Sequence, residues 1–206
     1  PFNAETWTLL PEYLGNLPNL VQIRVWGDPQ ASIGEREAAR LAKSLADEFE
    51  QIEMLLLPRR VNYPYYPVFG IFGVDGEEAP DYGVRIIGLP AGLQMTSFIA
   101  AIQAVSFRGS TLEARTRIQL SKLQSDVTLE LLSSADDELG SMMSKTIFGL
   151  AVASDHVRSF LIMADVFHEV VWKYSARHFP HLVVNGRVHA DGQIGEKEIL
   201  KQIALA

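Results

Sequence analysis

Two short strings, Tyr65-Tyr66-Pro67-Val68 and His178-Phe179-Pro180-His181, decide how this chain is read. In each, an aromatic residue precedes a proline that opens an apolar run: Val68-Phe69-Gly70-Ile71-Phe72-Gly73 in the first and His181-Leu182-Val183-Val184 in the second. Proline cannot donate to a ladder, so the first residue of a strand is one of the few places a sheet accepts it. Each run then turns back. Asp75-Gly76-Glu77-Glu78 leads into a strand over 82–87, and Asn185-Gly186, the signature of a two-residue hairpin, leads into 187–190. A helix follows each hairpin, over 96–107 with Phe98, Ile99, Ile102 and Val105 on its face, and over 196–205.

Upstream of each hairpin the order is strand, helix, strand. Residues 21–26 alternate with period two and stop at Gly27-Asp28-Pro29. From 32 to 49 the apolar residues Ala38, Leu41, Ala42, Leu45 and Phe49 recur at helical spacing, and 52–57 reads as a buried strand ended by Pro58. The second half repeats this with a helix over 111–123, a strand over 127–132, a helix over 137–151, a strand over 157–163 and a further helix over 165–176. Asn3 caps an opening helix whose apolar face is Leu9, Leu10 and Leu14, closed by Gly15 and Pro18. The repeated grammar predicts an α/β fold of two similar domains, 1–110 and 111–206, each a mixed sheet flanked by helices, with a linker near Arg108-Gly109-Ser110.

Composition narrows the function. With 25 acidic and 18 basic residues in 206 the formal charge is −7, so no global basic field draws the chain to phosphates and nucleic acid is not an expected partner. No run approaches the roughly 18 apolar residues of a membrane span. Pro1-Phe2-Asn3-Ala4-Glu5 lacks the charged-then-apolar order of a signal peptide. The expectation is a soluble, cytoplasmic protein. Cysteine is absent, which removes disulfides, thiolate metal ligation, iron–sulfur clusters and thiol catalysis together. No cofactor and no metal are expected.

The string Asp81-Tyr82-Gly83-Val84-Arg85-Ile86-Ile87-Gly88-Leu89-Pro90-Ala91-Gly92, followed by Thr96-Ser97-Phe98-Ile99-Ala100-Ala101-Ile102, resembles the segment that closes the first domain in tandem thioredoxin-fold protein disulfide oxidoreductases, the glutaredoxin-like proteins. It is similar also to the amino-terminal region of the large alkyl hydroperoxide reductase subunit. The resemblance implies a Cys-x-x-Cys pair at the start of the helix after the first strand of each domain, faced by a cis-proline. By position, Ala31-Ser32-Ile33-Gly34 and Asp136-Asp137-Glu138-Leu139 occupy those sites, so Ala31, Gly34, Asp136 and Leu139 stand where sulfur would be, and Pro67 and Pro180 match the cis-prolines. The scaffold is kept and the nucleophile is gone.

The helix starts themselves read as structure. Ser32 and Glu35 have the spacing of a capping box, and three carboxylates at 136–138 suit a helix N-terminus. The aromatic segment Tyr63-Pro64-Tyr65-Tyr66-Pro67 reads either as a binding surface or as rings covering the sheet end, with His178 and Phe179 as its counterpart in the second half. The resulting expectation is a redox-inactive protein-binding module, an accessory subunit or assembly factor, and not an enzyme. Two alternatives stay open. One is an enzyme built from non-thiol groups, Asp136, Glu138, and His178 or His181; the other is a small-ligand binder at the seam between the halves.

Overall fold

A computed structural model describes residues 4–108 and 112–206, with side chains from residue 7 onward in the first helix. Asn3 as a cap, Gly109-Ser110 as a linker and a helix beginning at Thr111 lie outside the described residues. The elements are α1 (Ala4–Leu14), β1 (Val21–Trp26), α2 (Ile33–Glu48), β2 (Ile52–Leu57), β3 (Val68–Gly73), β4 (Asp81–Ile87) and α3 (Gln94–Phe107) in the first half. The second half contains α4 (Ala114–Leu120), β5 (Val127–Ser133), α5 (Glu138–Val152), β6 (Val157–Met163), α6 (His168–Tyr174), β7 (His181–Val184), β8 (Val188–Asp191) and α7 (Glu196–Leu205).

The strands make one sheet of eight in the order β2-β1-β3-β4-β6-β5-β7-β8. Within each half the pairing is the same: β1 runs parallel to β2 and antiparallel to β3, which pairs antiparallel with β4, just as β5 runs parallel to β6 and antiparallel to β7, which pairs antiparallel with β8. The halves join where β4 pairs parallel with β6, from Val84↔Ser159 to Ile87↔Ile162. A second mark of the repeat lies at the prolines, whose preceding bonds, Tyr66–Pro67 and Phe179–Pro180, are both cis. The carbonyls of Pro67 and Pro180 each accept an N–H at 2.8 Å, from Gly88 and Gly192, the residues that follow β4 and β8.

Strand alternation divides the side chains between two unequal faces. Val21, Ile23, Val25, Phe69, Ile71, Val84, Ile86, Leu129, Leu131, Leu161 and Leu182 point to the first, where buried residues of α1, α2, α3, α5 and α7 complete one core running through both halves. The opposite face holds Trp26, Val68, Phe72, Ile87, Leu132, Ile162 and Val183, and among the described helical residues α6 alone contributes buried side chains to that cluster, Val170 and Tyr174. In the first half the aromatic loop, with Tyr63, Tyr65 and Tyr66, takes the place of a helix there. Gly70 is required under it, since a Cβ at that position would come within 2.6 Å of the Trp26 ring.

Two local readings are corrected. β2 is not a buried strand: it lies at the edge of the sheet, with Leu55 42% and Leu56 45% exposed. Apolar content alone does not separate an edge strand from a central one. The helix expected over 165–176 is shorter, opening at His168 and ending at Tyr174; Asp165 precedes it in a turn and accepts the N–H of Ala135 at 3.1 Å.

Candidate functional site

Both matched quartets straddle a helix cap in the same way. Ser32, the second residue of Ala31–Gly34, is the N-cap of α2, and Asp137, the second residue of Asp136–Leu139, is the N-cap of α5. Gly34 faces the proline loop: a Cβ built there would stand 3.8 Å from Pro67 Cδ.

At the first site the Ser32 hydroxyl accepts the Glu35 N–H at 3.2 Å, as a capping box requires. The Glu35 carboxylate departs from that pattern. Instead of reaching the Ser32 amide, it accepts from the Ser32 hydroxyl at 2.9 Å, from the Asp28 N–H at 2.6 Å, and from Arg59 through Nε at 2.9 Å and a terminal nitrogen at 2.5 Å. Glu35 is 1% exposed. The Arg59 hydrogen bonds outweigh the opposing effect of burial and, with the Asp28 and Ser32 bonds, hold its carboxyl down at about 2, against an ordinary 4.5. Arg59 also lies over the Tyr66 ring, 5.1 Å from its centroid, and the Tyr66 hydroxyl donates to the Arg60 carbonyl. An ion pair between the buried Glu35 and the half-exposed Arg59 thus fastens the helix start to the aromatic loop where a thioredoxin fold would present a reactive pair.

The second site is closed by the first half. Asp137 accepts the Gly140 N–H at 2.9 Å and the Ser133 hydroxyl at 2.8 Å, while Asp136 accepts from Ser134 at 2.7 Å. Gln94, fully buried at the start of α3, donates to Ser133 Oγ at 3.0 Å and to the Ser134 and Asp137 carbonyls at 2.9 Å. Gly92 (φ +54°) lets this turn approach, because a Cβ there would lie 2.4 Å from the Ala135 carbonyl oxygen. Asp136, Glu138 and Leu139 remain exposed. Neither Asp136 nor Glu138 meets an imidazole. His181 is buried, but its partners are Asp191 at 2.6 Å and His189 at 3.0 Å, across the β7–β8 hairpin; His178 is exposed and Phe179 packs into the second-face cluster. The constellation Asp136, Glu138, His178 and His181 is not assembled. Among the described residues no group of three or more His, Asp or Glu is placed to hold a metal ion.

A cleft of about 850 Å³ lies elsewhere, on the thinly covered face. Its floor is β4, β6 and β5, one wall is the loop carrying Arg60, Tyr63 and Tyr65, and the other is α6 with Val170 and Lys173. Of the expected groove residues, Tyr63 and Tyr65 line it, whereas Tyr66, His178 and Phe179 do not. Tyr65 stacks on Phe167 at 4.8 Å between centroids, joining the halves at one end of the cleft. On the floor, Arg85 donates to the Tyr63 hydroxyl at 3.0 Å and to Asp81 at 2.9 and 2.5 Å. Burial works against the Asp81 charge, but the Arg85 bonds hold its carboxyl below the ordinary range. Across the floor Tyr174 donates to Glu130 at 2.5 Å, and burial together with Glu130 pushes this phenol well above its usual range. Arg85, Gln94, His189 and Asp191 were not singled out from sequence: the signal for Arg85 was a lone charge inside an apolar strand, and for Gln94 there was none.

The cap-straddling quartets, the cis-prolines and the duplicated sheet make the comparison with solved structures direct. The N-terminal domain of alkylhydroperoxide reductase AhpF from Enterococcus faecalis superposes with a TM-score of 0.88 at 17% identity, covering 100% of both chains. A protein disulfide oxidoreductase from Aeropyrum pernix gives 0.84 at 18% identity, covering 98% of this chain and 91% of that one. The fold is a tandem thioredoxin fold. In sequence, the alkyl hydroperoxide reductase AhpF of Pseudomonas aeruginosa is 26% identical over 123 residues, 60% of this chain, and the match spans 24% of that relative's length. No protein-family model matches. Among the described residues, no helix of this tandem thioredoxin fold is long and apolar enough to cross a membrane.

Proposed function

We propose that this chain is a redox-inactive thioredoxin-like module, built of units 1–110 and 111–206, that acts as a protein-binding accessory subunit or assembly factor. One observation carries the reading. At both helix starts one first-turn backbone N–H, a donor of the kind that stabilises a thiolate, is engaged by oxygen, from Ser32 and from Asp137, in a chain without cysteine. Recognition of an extended segment by backbone and side-chain contacts needs no sulfur, so binding can persist without electron transfer. The similarity to part of a larger reductase polypeptide fits a module that works beside other domains or chains.

The test has two arms. In a dithiol-exchange assay such as insulin reduction the chain gives no turnover, and turnover would overturn the reading. Chemical cross-linking in native extract, followed by mass spectrometry, is expected to join one recurrent partner to the chain through the Tyr63–Tyr65 segment; a solitary monomer under all conditions would count equally against it.

A further inference from the structure

We propose that the central cleft is a binding trough for an acidic, extended peptide segment of the partner. This rests on the protein-binding reading and adds the chemistry of the bound segment and its place, away from both degenerate helix starts. The trough follows β4 from Asp81 to Ile87, which at the rise of a strand is about 20 Å, room for roughly six extended residues.

Charge defines the occupant. The chain as a whole is −7, yet the cleft gathers four cations, Arg60, Arg85, Arg158 and Lys173, against two carboxylates, Asp81 and Glu130. The two carboxylates are occupied, Asp81 by Arg85 and Glu130 by the Tyr174 hydroxyl. Among the described residues Arg60 and Lys173 have no carboxylate partner: the Arg60 guanidinium rests over Trp26, 4.9 Å from the ring centroid, and Lys173 donates only to Tyr174 Oη at 2.6 Å. They stand on opposite walls, from opposite halves. Between them the floor carries Phe160 and Ile162 beside Arg85 and Glu130, so a strand with acidic side chains toward the two walls and an apolar side chain over Phe160 matches the trough. Cations this close act within a screening length of about 8–10 Å, where the distant negative surface is damped.

The test uses the full chain and a fluorescein-labelled hexapeptide of alternating Glu and Tyr, read by anisotropy at physiological salt, with the Gln–Tyr analogue beside it. The Glu peptide is expected to bind at least tenfold more tightly than the Gln peptide. Arg60→Glu and Lys173→Glu should each abolish that preference, whereas Arg36→Glu, an exposed change on α2 with the same effect on net charge, leaves it intact. Equal binding of the two peptides, no binding of either, or equal sensitivity to Arg36→Glu overturns the proposal. So does binding of free glutarate as tight as that of the peptide. A partner still cross-linked through the aromatic segment while these assays fail would sink the acidic trough alone and leave the protein-binding role standing.

Discussion

Glu35 is the residue on which the first site turns. Its bonds to Arg59, Asp28 and Ser32 hold the carboxyl at about 2. A shift from 4.5 corresponds to about 3 kcal/mol, which solvent around Arg59, 47% exposed, reduces to about 1–2 kcal/mol. Because the folded carboxyl titrates below the unfolded one, this contribution is complete above about pH 4.5 and is lost as the pH falls toward 2. Glu35→Gln should therefore lower the urea-unfolding free energy at pH 7 by about 1–2 kcal/mol, and the gap from wild type should narrow below about pH 4.5 and close only as the pH reaches about 2; a gap independent of pH would show that the ion pair does not carry the effect. At this scale the sequence was partly legible. Ser32 announces itself as a cap by position, but Glu35 finds Arg59 only because the chain returns from β2 along the same end of the sheet, a distance of 24 residues that no local pattern encodes.

Among elements, the two caps and the turn before α3 decide how the sites behave. The room at Gly34, with ordinary contact distance to Pro67, allows a side chain. Ala31→Cys with Gly34→Cys is therefore expected to form an intramolecular disulfide on mild oxidation, seen as loss of both free thiols with an unchanged far-ultraviolet spectrum. Persistent thiols would displace the assignment of this quartet. Gln94 binds the loop before α5 through three acceptors. Gln94→Ala leaves buried acceptors unpaired and should cost about 1–3 kcal/mol, measured as a lower urea midpoint; no change would mean that water replaces the amide. Element types were readable because their apolar periods differ, two for β1 and near 3.6 for α2. The packing of α3's first turn onto the other half was not, since it depends on how two repeats meet, and neither repeat states that by itself.

For the molecule as a whole, the shared sheet and the single first-face core mean that the halves do not stand as separate bodies in their energetics. Parting them would bare the edges of both β4 and β6 and split a core that runs from Leu10 to Ile203. Thermal unfolding followed by near- and far-ultraviolet circular dichroism should trace one coincident transition; two resolved steps would assign each half its own stability. The duplicated order could be seen in the sequence, but the fusion of two sheets into one could not, because β4 and β6 belong to different repeats and carry no pairing signal beyond their apolar faces.

One consequence follows for the outer rim of that sheet. β2 ends the array with Leu55 and Leu56 open to water, and its run Ile52–Leu57 contains one charge, Glu53, before Pro58 interrupts it. Such a border is a template for addition of further chains, and Glu53 and Pro58 are the gatekeepers that restrain it. Rising protein concentration is then expected to favour association through that border, and Leu56→Lys should lower the light scattering of concentrated solutions; unchanged scattering would place any self-association elsewhere.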